Sequence, residues 1–205
     1  MKPLLAILIP TLTGNEMLYG RVYQQLNKQI GDKPVVIITE CDSRTMTTGA
    51  KRNLLLQTAR EQGVTHISFV DDDDLVGPTY IQRGLETVEG DYDCAELWGQ
   101  YYENNKQFNP FHHSITHDHW HQDDKFYYRN PNHLNFIKLD HLKDIRFQDK
   151  TIGEDAHYSI DIQKQGLLKR EYPVKEITYF YFAGKKELKD HDMEPIWAEQ
   201  RGIKL

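Results

Sequence analysis

Residues 66–80 read HISFVDDDDLVGPTY, a short run of apolar, β-prone residues that ends on four consecutive carboxylates, Asp71, Asp72, Asp73 and Asp74. Adjacent like charges repel, so some of the four must hold a proton unless a cation gathers beside them. A solvated acidic turn is the plainest account of such a run. A metal site at the carboxyl edge of a sheet is the other, and it explains why the acids stand directly behind a strand. The flanking sequence decides between them.

Upstream, residues 4–9 (LLAILI) read as a strand buried on both faces, the pattern of parallel sheets. A PTLTGNE turn follows, then a helical pattern over 16–30 that closes at Gly31. Residues 34–39 (PVVIIT) form a second buried strand, and Gly49 to Gly63 a helix bounded by glycines. HISFV is the third strand. Downstream, PTYIQRGLETV opens a helix on Pro78, and residues 91–102 (DYDCAELWGQYY) read as a fourth strand. This alternation predicts an open, mostly parallel α/β sheet flanked by helices, with ligands beyond the carboxyl ends of the strands. The aspartates fall on that edge.

The alternation stops near Tyr102. Residues 103–130 are polar, aromatic and rich in histidine, too long for a connector, and predict a functional loop. A short extended piece follows at HLNFIK, then a helix from Glu154 to Gln165 ending at Gly166, two closing strands within LLKREYPVKEITYFYF, and a charged tail.

A chain of 205 residues with 39% hydrophobic content can bury a substantial core, and its net charge of −6 gives no general pull toward nucleic acid or an anionic membrane. The 25 Lys and Arg leave room for a local basic groove, and Lys125, Arg129, Lys138, Lys143 and Arg146 offer a strip. Cys41 and Cys94 are too few for a disulfide framework and read as free thiols in a reducing compartment. The apolar start, MKPLLAILIPTLTG, is short, ends its run at Pro10 and lacks a small-residue cleavage site, so a buried strand explains it better than a signal peptide. No stretch approaches the roughly 20 apolar residues of a membrane helix. The expectation is a soluble, cytoplasmic protein.

Taken together, ILIPT, ITECD, GAKRN, FVDDDDLVGP and IGEDAHYS, in that order, resemble the motifs of family 2 glycosyltransferases of the GT-A fold. The resemblance covers roughly residues 3–165 and extends to small phage-type members. It implies a Rossmann-like sheet, a nucleotide-sugar-binding half at 1–102, and a smaller acceptor-binding half at 103–205 within one continuous domain. It also implies an inverting, metal-dependent transfer of a sugar from a nucleoside diphosphate, UDP by expectation, to an acceptor hydroxyl. The acids Asp71, Asp72 and Asp73 then form the DxD-type motif. Asp73 is expected to hold Mn2+ or Mg2+, with Asp71 facing the metal or the ribose and Asp74 in support. Hard divalent cations favour such oxygen ligands and share them with substrate phosphates.

The same resemblance assigns the nucleotide to Pro10 and Thr11 at the end of the first strand, to Asp42 or its neighbour Glu40 after the second, to Arg52 or Lys51 at the next helix start, and to Asp71 and Asp72 after the third. A surface ion pair is the alternative for these cations. It places the general base on Asp155, with Glu154 orienting the acceptor or the base. An acceptor hydroxyl needs such a carboxylate to take its proton as the new bond forms. An ordinary acidic helix N-terminus is the plainer account of that pair.

His112, His113, His117, His119 and His121 match no zinc-ligand spacing and are expected in a mobile loop over the donor. Some relatives set a late histidine against the metal, which points to His191. His133, Trp98 and Trp120 are candidates for the acceptor pocket, a plain core role being the alternative. The acceptor could be a saccharide, a lipid-linked glycan or, by likeness to phage enzymes, a hydroxymethylated DNA base. Rival functions are a nucleotidyltransferase, which would need a Gly-rich phosphate loop where PTLTGNEML has only Gly14 before Gly20, a phosphohydrolase, which would need a nucleophilic Asp where Thr11 and Thr13 stand, and a non-catalytic nucleotide-binding module.

Overall fold

The computed structural model describes residues 3–104 and 106–184. The strand β1 (Leu5–Leu12) decides the core. Leu5, Ile7 and Ile9 point to one face of its sheet and Ala6 and Leu8 to the other, and all five are fully buried. That two-residue period with no polar member requires a cover on both faces. The helix α1 (Glu16–Ile30) supplies one through Val22, Leu26 and Ile30. After β2 (Val35–Asp42), the helix α2 (Thr48–Gln62) covers the other with Leu55, Leu56 and Ala59.

Both β2 and β3 (His66–Phe69) pair with β1 in parallel, in the registers Thr11↔Cys41 and Leu8↔Phe69. Their carboxyl ends therefore share one edge, and residues 10–12, 42 and 71–74 emerge there. Beyond the aspartates come β4 (Leu75–Val76), α3 (Tyr80–Glu89), β5 (Cys94–Ala95), β6 (Leu97–Glu103), β7 (Lys106–His113), β8 (His121–Gln122), β9 (Tyr127–Arg129) and β10 (Ile137–Lys138). A short 3₁₀ turn (Leu139–Leu142), α4 (Glu154–Gln165), β11 (Glu171–Tyr172) and β12 (Ile177–Ala183) complete the described chain.

The first sheet runs β11-β5-β10-β3-β1-β2, with β10 alone antiparallel to its neighbours. The mostly parallel α/β sheet of the sequence reading is present. A second mixed sheet, β4-β12-β6-β7-β9-β8, was not expected. It corrects the reading of residues 103–130 as a loop, since β7, β8 and β9 lie there. It also corrects residues 91–102, which are two strands in two different sheets, broken at Glu96. Its carboxylate accepts the Val174 amide at 3.1 Å. The HLNFIK segment is a strand only at Ile137–Lys138. Each sheet draws strands from both sides of residue 102. The run Asp71–Asp74 is the crossing from β3 in one sheet to β4 in the other.

Candidate functional site

A cleft of about 830 Å³ opens at the shared carboxyl edge, between the two sheets and the start of α4. Pro10, Thr11, Lys51, Arg52, Asp71, Asp72, Asp73, His133, Glu154 and Asp155 line it, so ten of the residues singled out from sequence converge on one cavity. Two glycines make this possible. A Cβ at Gly49 would collide with the Gln148 carbonyl, and the Gly49 amide bonds the Lys150 carbonyl at 3.0 Å, which fixes the α2 N-terminus against the segment leading to α4. Gly153, at φ 74°, turns the chain into α4 in a conformation costly for any other residue, and so aims Glu154 and Asp155.

The four aspartates are each handled differently. Asp71 accepts from Arg52 Nη2 at 2.7 Å and has His133 Nε2 at 3.8 Å. Burial would raise its pKa, but the Arg52 charge and His133 outweigh that and hold the carboxyl far below the usual range. Asp72 accepts from the Thr11 hydroxyl at 2.5 Å and the Asn15 amide at 2.9 Å. Asp74 is buried and tied to β12 by the Tyr179 hydroxyl at 2.8 Å and the Phe182 amide at 2.9 Å. Burial and then the Asp71 charge push its carboxyl well up. Asp73 stays partly exposed on the cleft. One counter-cation and one carboxyl biased toward its neutral form thus relieve the repulsion that the sequence raised.

Arg52 is the centre of this arrangement. Its buried guanidinium bridges Asp71 and Glu154 Oε1, the latter at 2.6 Å, and lies near the rings of Phe69 and Phe147. Burial works against its charge, yet Asp71 and Glu154 outweigh burial and raise its pKa. Burial raises the Glu154 carboxyl against the pull of Arg52. Burial, then the Arg52 charge, lowers His133 and favours its neutral form. Next to this locked cluster, the Asp155 carboxylate lines the cleft and accepts no hydrogen bond or ion pair from any described residue.

Other expected residues fall elsewhere. Asp42 ion-pairs with Lys51 and accepts the Thr45 and Met46 amides at 2.5 and 2.8 Å, so its oxygens hold the turn into α2. Lys51 in turn donates to the Thr11 carbonyl at 2.7 Å. Lys51 and then the Met46 amide hold the Asp42 carboxyl well below its usual range. Asp42, Glu40, Trp98 and Trp120 are not among the lining residues. Trp98 stacks on His112 with centroids 3.9 Å apart, and Trp120 lies under the Arg129 guanidinium at 4.3 Å. His112 and His113 belong to β7, and His113 alone of the five clustered histidines lines the cleft. The others pack among themselves, with His112 and His117 nitrogens 3.0 Å apart. His191 lies outside the described residues. Of the basic strip, Arg129 enters the cleft, Lys138 pairs with Asp91 at 2.6 Å, and Arg146 donates to the Lys143 and Ile145 carbonyls.

The sequence reading missed Arg44, Met46, Tyr101, Tyr127 and Tyr181 as lining residues, and named Arg129 only as part of a basic strip. Arg44 carries a signal in its backbone, a φ of 65°, but none in its neighbours along the chain. The tyrosines come from the unforeseen second sheet.

Among the described residues no group of three or more His, Cys, Asp or Glu is placed to hold a metal ion. The donor set still fits Mn2+ or Mg2+ in one mode: two cleft carboxylates, Asp72 and Asp73, offer hard oxygens to a cation that takes its other ligands from water and a diphosphate.

No known family profile matches the sequence, and no curated protein matches it. Solved structures do. Residues 1–349 of S. aureus TarS in complex with UDP superpose with a TM-score of 0.62 at 15% identity over 90% of this chain and 61% of that one. A longer TarS chain gives 0.60 at 15% identity over 89% and 37%, and the complex of residues 1–349 with UDP-GlcNAc gives 0.53 at 13% over 91% and 60%. The chain thus spans between about a third and three fifths of the length of these neighbours. No described helix is long and apolar enough to cross a membrane. The neighbours are GT-A glycosyltransferases, and the protein has the GT-A fold.

Proposed function

We propose that the protein is an inverting, metal-dependent glycosyltransferase that moves a sugar from a nucleoside diphosphate, UDP in the first instance, to an acceptor hydroxyl. One observation carries the reading: a carboxylate with no hydrogen bond or ion pair among the described residues, Asp155, shares a cleft with the Asp71–Asp73 turn at the strand ends of a fold whose TarS neighbours are solved with UDP and UDP-GlcNAc. Ligands of open α/β sheets bind at this edge.

Several lining residues have a part in the chemistry. Pro10, Thr11, Arg44 and Met46 border the nucleotide, with Lys51 and Asp42 tying the end of β1 to the loop that bears Arg44 and Met46. Asp73 and Asp72 would hold Mn2+ or Mg2+ against the diphosphate, and the cation when bound neutralises charge on the departing nucleotide. Asp155 takes the proton from the acceptor hydroxyl while its oxygen bonds to the anomeric carbon and the bond from that carbon to the diphosphate oxygen breaks. Glu154, held by Arg52, positions Asp155 by fixing the first turn of α4. A screen of nucleotide sugars for hydrolysis, with and without Mn2+, tests the reading. Consumption of one donor that depends on the cation supports it, and no consumption of any donor overturns it.

A further inference from the structure

The second sheet gives the cleft a wall that the donor chemistry leaves unused. Arg129, at the end of β9, lines the cavity beside Tyr101, Tyr127 and Tyr181. Tyr101 stacks on Tyr181 with centroids 5.6 Å apart and meets Tyr127 edge-on at 6.0 Å, forming an aromatic shelf. The Arg129 guanidinium rests on the Trp120 ring, which fixes its plane. Among the described residues it makes no hydrogen bond and no ion pair. Lys51 and Arg52, by contrast, are committed to Asp42, Asp71 and Glu154.

Arg129 is half-buried, and a guanidinium that loses part of its water and gains no hydrogen bond or ion pair is costly. Burial lowers its pKa, and the carboxylate whose charge most opposes that is Asp155. Arg129 and Asp155 line the same cleft, whereas Asp42 lies outside it. His113, which also lines the cleft, is fully buried, and burial followed by the Arg129 charge keeps it neutral, so Arg129 meets no second positive charge there. The cation is left for a ligand. Its planar fork matches phosphate and carboxylate oxygens, and the tyrosine faces match the apolar face of a sugar ring.

We propose that Arg129 and the tyrosine shelf form an acceptor subsite that selects a sugar carrying an anionic group, a phosphate or a carboxylate, next to the hydroxyl that receives the new bond. This rests on the glycosyltransferase reading and goes further by naming the acceptor class.

Calorimetry on the full chain with saturating UDP and Mn2+, which fill the donor site, tests it with three probes: methyl glucoside, its 6-phosphate and glucuronate. The wild type should bind at least one charged probe about tenfold or more tightly than methyl glucoside, and which one does so separates phosphate from carboxylate. Arg129→Gln should lose that preference and keep its UDP affinity within about twofold, while Arg129→Lys, which keeps the charge and loses the fork, should retain part of it. Equal binding of charged and neutral probes by the wild type overturns the proposal whatever the variants do. So does an Arg129→Gln protein that loses UDP instead, since Arg129 would then serve the donor. Failure of the wild type to bind UDP at all refutes the glycosyltransferase reading itself, a distinct result.

Discussion

Replacing Arg52 by methionine keeps volume beside Phe69 and Phe147 and removes the charge between Asp71 and Glu154. Removing one partner of a buried ion pair costs about 3–5 kcal/mol. Glu154 can escape by taking a proton, which sets a ceiling. Its unfolded value is 4.5, so holding a proton at pH 7.5 costs about 3 units at 1.36 kcal/mol each, or about 4 kcal/mol. Asp71 is partly exposed and adds less, because water screens it. The expected loss at pH 7.5 is about 3–4 kcal/mol.

The sign of the pH dependence follows from both carboxyls. In the variant, Glu154 is raised further above its unfolded value, a penalty present at high pH that fades as pH falls toward 4.5. In the wild type, Asp71 is depressed, so its contribution is present above its unfolded value of 3.8 and is lost as pH falls through its folded one. The fading Glu154 penalty narrows the gap between the proteins to about 1 kcal/mol at pH 4.5, and the Asp71 effect narrows it further only below 3.8. Urea unfolding followed by tryptophan fluorescence at the two pH values measures it. A loss below about 1 kcal/mol at pH 7.5, or an equal loss at both, would refute the bridging role given to Arg52.

Two further outcomes bear on the site. Asp73→Asn should cut donor turnover sharply while the unfolding midpoint stays put, and full activity in excess chelator would remove the metal from the account. Among the four common nucleoside diphosphates, UDP should bind most tightly by calorimetry, and tighter binding of GDP would reassign the donor.

Much of this was legible in the chain because its signals are local. Glycines at 31, 63 and 166 end helices where helical periodicity stops, and α1 and α4 keep their expected bounds. The run LLAILI reads as doubly buried and is. The second sheet was illegible because its pairing is distant: β12 lies beside β6 from about 80 residues further on, and β7 is exposed over its first half. Its residues FNPFHH carry no clean alternation, so they resemble loop. Arg52 shows the same limit within the site. A cation at a helix start suggests an anionic ligand, but its partners, 19 and 102 residues away, are this protein's own carboxylates.

Asp155 is the most exposed point of the account. Asp155→Asn keeps size and hydrogen bonding but cannot accept a proton at neutral pH. With the donor found active, UDP release and the anomeric proton of the first-formed sugar can be followed together by NMR, water serving as acceptor. The account predicts donor affinity near that of the wild type, a rate lower by about 10²–10⁴-fold, and, for the wild type, a sugar released with the anomeric configuration opposite to that of the donor. A variant at full speed, or a retained anomer, would contradict it.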